Sequence, residues 1–474
     1  MIAYRTLSAI LPLALWLAGC GEGQPPSPSA APAVSATGFV PEQPQRSGDP
    51  QAGYRALVNE GYVSCGIPYS AWQRLAPPTE ERDLLPGREG RNAELPYYQN
   101  FHVTDDGVDL VVANCLGCHA GRFNGELIIG LGDETVDFTG DAVVAAESVG
   151  AYLNDPAEIQ EWQRWADRVA AIEPYRRTDT VGVNPAVSLT AALFAHRNPT
   201  TLAWSNQPFL EPPPPRPLPV SVPPWWRMSK KHAAFYTAAG QGDHARYMIL
   251  ISTYCTDTVA EAEAIDRYAP DIRAYIASLE APEWPFELDT QLAAEGQLVF
   301  QAHCSRCHGT YGEQESYPNL VIPLAEIGTD ATLAEYMTGE YAGIYGQWFE
   351  DSFYGELSDS LPAPGYYAPP LDGVWATAPY LHNGSVPSIE VLLDSPRRPR
   401  YWKRTSLDST DYDTRTLGWH YKVLDYGKEG AADARERKMI YDTTLPGYAN
   451  GGHTFGDGLT AQQRRAVLEY LKTL

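Results

Sequence analysis

A chain of 474 residues, 44% of them hydrophobic, has the length for two or three domains and enough apolar material for a sizeable core. Its formal net charge of −24 repels phosphate, which argues against nucleic acid as a partner and against electrostatic attraction to an anionic membrane surface. An acidic, solvated surface also suits an exported protein that must stay soluble.

The N-terminus reads as an export signal. Arg5 supplies a positive n-region, and Ile10 to Ala18 is an apolar stretch too short to span a bilayer stably. Leu17-Ala18-Gly19-Cys20 then reads as a lipobox, so residues 1–19 form a lipoprotein signal peptide and Cys20 becomes the acylated first residue. This predicts a periplasmic or outer-membrane-anchored lipoprotein that touches the membrane only through its lipid. Residues 20–48, rich in Pro, Ser and Ala, read as a tether. Order is expected from Asp49-Pro50, with a short helix over Gln51–Asn59.

The first strong motif is Cys115-Leu116-Gly117-Cys118-His119, and Cys304-Ser305-Arg306-Cys307-His308 repeats its pattern. Cys-x-x-Cys-His is the attachment sequence of c-type haem. Two intervening residues let one turn bring both thiols to the two haem vinyl groups, and the following His becomes the proximal iron ligand. The motifs therefore predict two covalent haem c groups, with His119 and His308 on the irons. The competing readings are a thioredoxin-like pair and a zinc site assembled from all four cysteines. Of the seven cysteines, Cys20 takes lipid and four take haem, leaving Cys65 and Cys255 as a disulfide in an oxidising compartment.

Between the motifs, Glu211–Pro217 reads as a stiff connector or surface loop, and Trp225-Trp226 as core packing, the lining of a distal pocket or an electron relay. Tyr247–Leu250 and Asp266–Leu279 are helical candidates. A composition change over Pro282–Glu287 divides a first haem domain, 49–285, from a second, 286–474. Leu292–Ala302 reads as a helix entering the second motif. Thr460–Leu474 reads as a closing helix capped by Thr460, with Val467, Leu468, Leu471 and Leu474 on one face. An entering and a closing helix are the two ends of a cytochrome c fold. The fold class is thus mainly α: two cytochrome c-like haem domains with long loops and little β structure.

The second axial ligand decides function, because a strong ligand closes an iron for electron transfer and an open position admits an oxidant. In the second domain His453, flanked by Gly451 and Gly452, is the leading candidate, with His382, Met337 and Met439 as rivals. For the first haem His102 and His196 are available, and an open site is preferred.

Leu371-Asp372-Gly373-Val374-Trp375-Ala376-Thr377-Ala378-Pro379-Tyr380-Leu381-His382-Asn383-Gly384-Ser385 resembles the Ala-Pro-Tyr-x-His-Asp/Asn-Gly signature of the bacterial di-haem cytochrome c peroxidase superfamily. Pro223-Pro224-Trp225-Trp226, Pro399-Arg400-Tyr401 and Pro446-Gly447-Tyr448-Ala449-Asn450-Gly451-Gly452-His453 are closer to its rubber oxygenase-like branch. The resemblance implies two facing haem domains, a first haem that activates dioxygen or peroxide, and a second closed by His453. It places His382 near the haem interface without ligating iron. It also leaves open a calcium ion between the domains, as in related peroxidases. Ala120–Gly125 departs from the standard peroxidase pattern, and no residue stands out as the acid that assists peroxide cleavage.

The expected protein is a di-haem oxidoreductase. His119, Trp225, Trp226 and His382 form its reactive region, and electrons pass through the His308/His453 haem. Its partners would be a small redox protein or quinol-linked donor and a small oxidant. The alternatives are a non-catalytic electron carrier and a polyisoprene-cleaving dioxygenase.

Overall fold

Two helix pairs, each crossed at a glycine, organise the computed structural model, which describes residues 38–474. The expected signal peptide, Cys20 and most of the expected tether lie outside the described residues. Asp49 starts the Pro50–Asn59 helix by accepting from the N–H groups of Gln51 and Ala52, and Pro50 occupies the first turn, where its missing donor costs nothing. Gly53 of this helix rests on the Ala269–Ala277 helix so closely that a Cβ would stand 1.9 Å from the Asp271 carbonyl oxygen. The pattern repeats near the C-terminus. Asp289 caps the Thr290–His303 helix, and a Cβ on Gly296 would stand 1.8 Å from the carbonyl oxygen of Ala466 in the Ala461–Leu471 helix. Thr460 and Gln463 form a reciprocal capping box there. Glycine weakens an isolated helix, so its presence in two helix interiors serves the close backbone approach.

That contact yields a prediction. Gly296→Val puts two methyl groups where a backbone carbonyl stands, and backbone cannot rotate away as a side chain can. We expect the helix pair to separate locally at a cost of about 1–3 kcal/mol, read as a lowered urea midpoint at unchanged m-value.

About 41% of the structure is helical and 13% is strand in small sheets, so the mainly α expectation holds. The helices left unassigned in the sequence include the longest, Pro156–Arg176, and Ala186–Ala195. The second helical candidate is realised over Ala269–Ala277; the first shifts to His244–Met248 and continues as a tighter turn over Ile249–Tyr254. The strands matter at one place. Gln99–Val103 pairs antiparallel with Asp109–Ala113, with Phe101 opposite Val111. Gly107 turns the hairpin at φ +79°. This hairpin delivers the chain to Cys115, whereas the second motif is entered directly from the Thr290–His303 helix.

Segments from both halves of the chain share each main core. Leu57, Leu116, Phe194 and Trp225 pack with Tyr345, Trp348 and Phe349, and the Phe194 and Trp348 rings stack at 3.9 Å. Phe123, Leu131 and Trp226 join Phe300, Trp375, Val467 and Leu471 in the other. Glu211–Pro217 forms neither helix nor strand, and its Glu211 carbonyl accepts from the Tyr345 hydroxyl at 2.7 Å. Cys65 and Cys255 are joined by a disulfide with Sγ–Sγ 1.97 Å.

Candidate haem-attachment sites

Both Cys-x-x-Cys-His segments fold into the same single turn. The Cys118 and His119 N–H groups donate to the Cys115 carbonyl at 3.2 and 3.1 Å, and those of Cys307 and His308 donate to the Cys304 carbonyl at the same two distances. The Tyr62 hydroxyl accepts from the Cys115 N–H at 3.0 Å, and the Asn114 side chain accepts from Leu116 at 2.9 Å, fixing the first turn on its hairpin. None of the four motif cysteines is in a disulfide. Burial pushes the Cys118 thiol up to about 12 and the Cys304 thiol up to about 11, the opposite of the depressed values that activate a redox thiol pair. Among the described residues no group of three or more His, Cys, Asp or Glu side chains could hold a metal ion, so the four cysteines do not assemble a zinc site.

The second motif opens onto a largely apolar cavity of about 220 Å³, lined by Cys304, Cys307, His308, His382 and His453. His308 and His453 face one another across it, with ring centres 6.1 Å apart. Two imidazoles bonded to one metal through nitrogens at about 2 Å place their ring centres roughly that far apart. The donor set therefore fits a haem: Cys304 and Cys307 would hold it through their thiols, and His308 and His453 would ligate its iron. The His308 Nδ1 is 2.8 Å from the Pro369 carbonyl, so it donates there and leaves Nε2 for a metal. Burial lowers the pKa of His308, with Pro369 opposing, and pushes His453 down to about 4, so both imidazoles are neutral at pH 7, the form that can bind a metal.

Local backbone strain marks His453. It sits at φ +46°, directly after Gly452 at +69°. A side chain larger than hydrogen at Gly452 would meet the backbone of Gly328 and Thr329 at about 2.1–2.2 Å. Arg398 clamps this loop, donating to the carbonyls of Asn450, Gly452 and His453 at 2.7, 2.6 and 3.0 Å. The His453 N–H donates to Ile327 at 2.7 Å. Such over-determination is what holds a non-glycine residue in the left-handed region.

The first site is built against aromatics. The Trp225 ring stacks on the His119 imidazole, with centres 4.7 Å apart at 21°. Trp225 therefore lies against His119 itself and is buried in the first core. Burial pushes His119 down to about 4, with the Pro223 carbonyl opposing, so it too is neutral. Trp226 points the other way, into the second core, and its Nε1 donates to the Asp372 carbonyl at 2.8 Å. Adjacent tryptophans thus pack into different cores.

The remaining candidates separate. His382 lines the second cavity and stacks on Tyr366 at 3.9 Å. Met337 is buried in the core of the first motif and Met439 lines a different, small cavity, so neither rival faces His308. His196 gives its Nδ1 to the Ser205 carbonyl at 2.8 Å and stacks on Trp204. His102 sits in the hairpin opposite Leu110. Arg398, Arg227 and Tyr311 were not legible as site residues. Tyr311 donates to the His308 carbonyl at 2.9 Å and accepts from the Leu371 N–H at 2.6 Å. Glu134, beside Arg404 at 3.4 Å, is a carboxyl that burial pushes up to about 8.

The four segments that carry the family resemblance converge here. Ser221, just before the Pro-Pro-Trp-Trp run, donates its N–H to the His382 carbonyl at 2.8 Å. Asn383 donates to Gly447 and Ala449 at 2.9 and 3.0 Å, and Asn450 donates to Pro399 at 2.8 Å. Comparison with known proteins agrees with this focus. The chain is similar to the uncharacterized proteins y4iJ and y4iM of Sinorhizobium fredii (strain NBRC 101917 / NGR234). Identity to y4iJ is 30%, over 48% of this chain and 47% of the relative; to y4iM it is 28%, over 42% and 52%. The chain thus spans about half the length of these relatives. Residues 365–403 match the family model described as RoxA-like, cytochrome c-like. This stretch, which contains Tyr366 beside His382 and Arg398 of the 450–453 clamp, is thus similar to a cytochrome c-like domain of the RoxA-like kind, and a domain of that kind implies covalent haem c.

Proposed function

We propose that the chain is a di-haem c-type cytochrome acting as an oxidoreductase on a small oxidant, of the rubber oxygenase-like rather than the peroxidase kind. The observation that carries this reading is the facing pair His308 and His453, 6.1 Å apart over Cys304 and Cys307, beside a first motif that has its own His119 in the same turn geometry. When bound, the haems supply one-electron chemistry and, where an axial position is open, activation of dioxygen or peroxide. The chain's own residues supply the rest. Pro369 holds the proton on the His308 Nδ1, Arg398 fixes the loop that presents His453, and Trp225-Trp226 connect the surroundings of His119 to those of Asp372.

Each motif sits beside one glycine-crossed helix pair, which supports two cytochrome c-like units. Their boundary falls between the Ala269–Ala277 and Thr290–His303 helices. The oxygenase-like reading is favoured over the peroxidase one by the RoxA-like match. Export through the N-terminal signal, lipidation at Cys20 and delivery of electrons by a small redox protein or quinol-linked donor complete the proposal.

The test uses the holoprotein matured with its haem-attachment machinery. Two haems per chain by pyridine haemochrome are expected. Reduced protein should bind carbon monoxide at one haem only, with oxygen-dependent cleavage of polyisoprene exceeding peroxide reduction by a reduced donor. Two closed irons would instead establish an electron carrier.

A further inference from the structure

We propose that Arg227 is the counter-ion and positioning residue for a propionate carboxylate of the haem carried by Cys304 and Cys307. The inference rests on the haem reading above and goes beyond it by assigning a residue to the haem's acidic edge. Arg227 belongs to the short Trp225–Lys230 turn, is 7% exposed, and lines the same cavity as Cys304, Cys307 and His308. Its Nε donates to the Asp372 carbonyl at 3.0 Å, which fixes the guanidinium plane. Its Nη2 is buried without a hydrogen-bond partner. The Asp372 carboxylate acts on Arg227 only through space: it makes no hydrogen bond to the guanidinium and instead accepts from the Lys230 Nζ at 2.6 Å.

The polar groups around Arg227 include the phenols of Tyr236, Tyr311 and Tyr380, which burial keeps protonated, the His308 imidazole, and a second cation, Lys231, which adds repulsion rather than a counter-charge. A buried guanidinium with no anion in hydrogen-bond contact is unfavourable, and a planar fork with a free N–H is suited to one carboxylate. The group that this cavity fits brings two carboxylates of its own. The same Asp372 carbonyl also accepts from Trp226 Nε1 at 2.8 Å, so the cation is held in register with the tryptophan pair that reaches His119.

A cation on a propionate favours the reduced, less positive iron. Spectroelectrochemical titration of the holoprotein should therefore show the low-spin second haem of Arg227→Gln shifted to a more negative midpoint potential, with Arg227→Lys recovering part of the shift. Pyridine haemochrome on each sample separates two failures. A wild-type protein lacking haem at the second motif overturns the haem reading itself. Two haems per chain with an unmoved potential in Arg227→Gln overturns the assignment of Arg227. If Arg227→Gln does not mature, resonance Raman of Arg227→Lys decides: a displaced propionate-bending band supports the pair, and an unchanged band overturns it. A wild-type potential that moves on addition of acetate would mean that Arg227 binds a solution anion, which also overturns the proposal.

Discussion

His453→Gly is expected to open the second haem site and make it bind carbon monoxide in the reduced state, raising the gas-binding stoichiometry from one haem per chain to two. Glycine is the informative substitution because the backbone at 453 lies at φ +46°, which glycine adopts freely and alanine does not. The Arg398 clamp grips carbonyl oxygens, not the imidazole, so the loop should keep its course without the side chain. The space left is the size of an imidazole. Added free imidazole should therefore enter it and restore the six-coordinate spectrum, with carbon monoxide binding falling back to one haem. His308, anchored through the Pro369 carbonyl, should retain its place. An unchanged Soret band in the ferric and the reduced variant would show that His453 is not the second ligand.

Asp257→Asn should destabilise the fold by about 3–5 kcal/mol, the cost of leaving buried cations without their partner. Three guanidiniums converge on this one carboxylate: Arg164 at 2.9 Å, Arg168 at 2.6 Å and Arg197 at 3.2 Å. The side chains of Arg168 and Arg197 are 3% and 0% exposed, so water cannot replace the lost charge. Arg164 and Arg168 also donate to the Cys255 carbonyl at 2.6 and 3.0 Å, tying the cluster to the disulfide. Burial alone would raise the Asp257 pKa, but Arg168, Arg164 and Arg197 overcome it and hold the carboxyl below its usual range. A depressed carboxyl contributes stability that is present above its unfolded value, near 4, and is lost as pH falls through the lower folded value. Urea midpoints should thus separate wild type from Asp257→Asn widely at pH 7 and converge toward pH 3. Equal midpoints at pH 7 would remove the cluster from any role in stability. The haem spectra of folded Asp257→Asn should match wild type, which distinguishes this variant from His453→Gly.

The tertiary structure also gives the Trp225-Trp226 pair a meaning that a hydropathy reading lacks. Two adjacent large rings ordinarily share one core. Here the short Trp225–Lys230 turn splits them, Trp225 stacking on His119 and Trp226 packing with Phe123 and Trp375. Arg227 follows at once and faces the second cavity. Six residues therefore touch both motif environments.

What the sequence determines by itself is local chemistry. Cys-x-x-Cys-His needs only one turn to present two thiols and an imidazole, so both attachment sites are legible from five residues each. The Thr460 cap, the Thr290–His303 helix and Gly296 follow from the same short-range rules of capping, periodicity and side-chain size. The Cys65 and Cys255 pairing follows from counting cysteines. Only the folded chain decides what comes from far along it. His453 is one histidine among several until the Arg398 clamp and Gly452 bring it 6.1 Å from His308. Met337 is a plausible ligand until packing buries it in the other core. Arg227 has no signature at all, because an unpaired buried charge is a property of what surrounds a side chain, and those surroundings are assembled from segments more than a hundred residues apart.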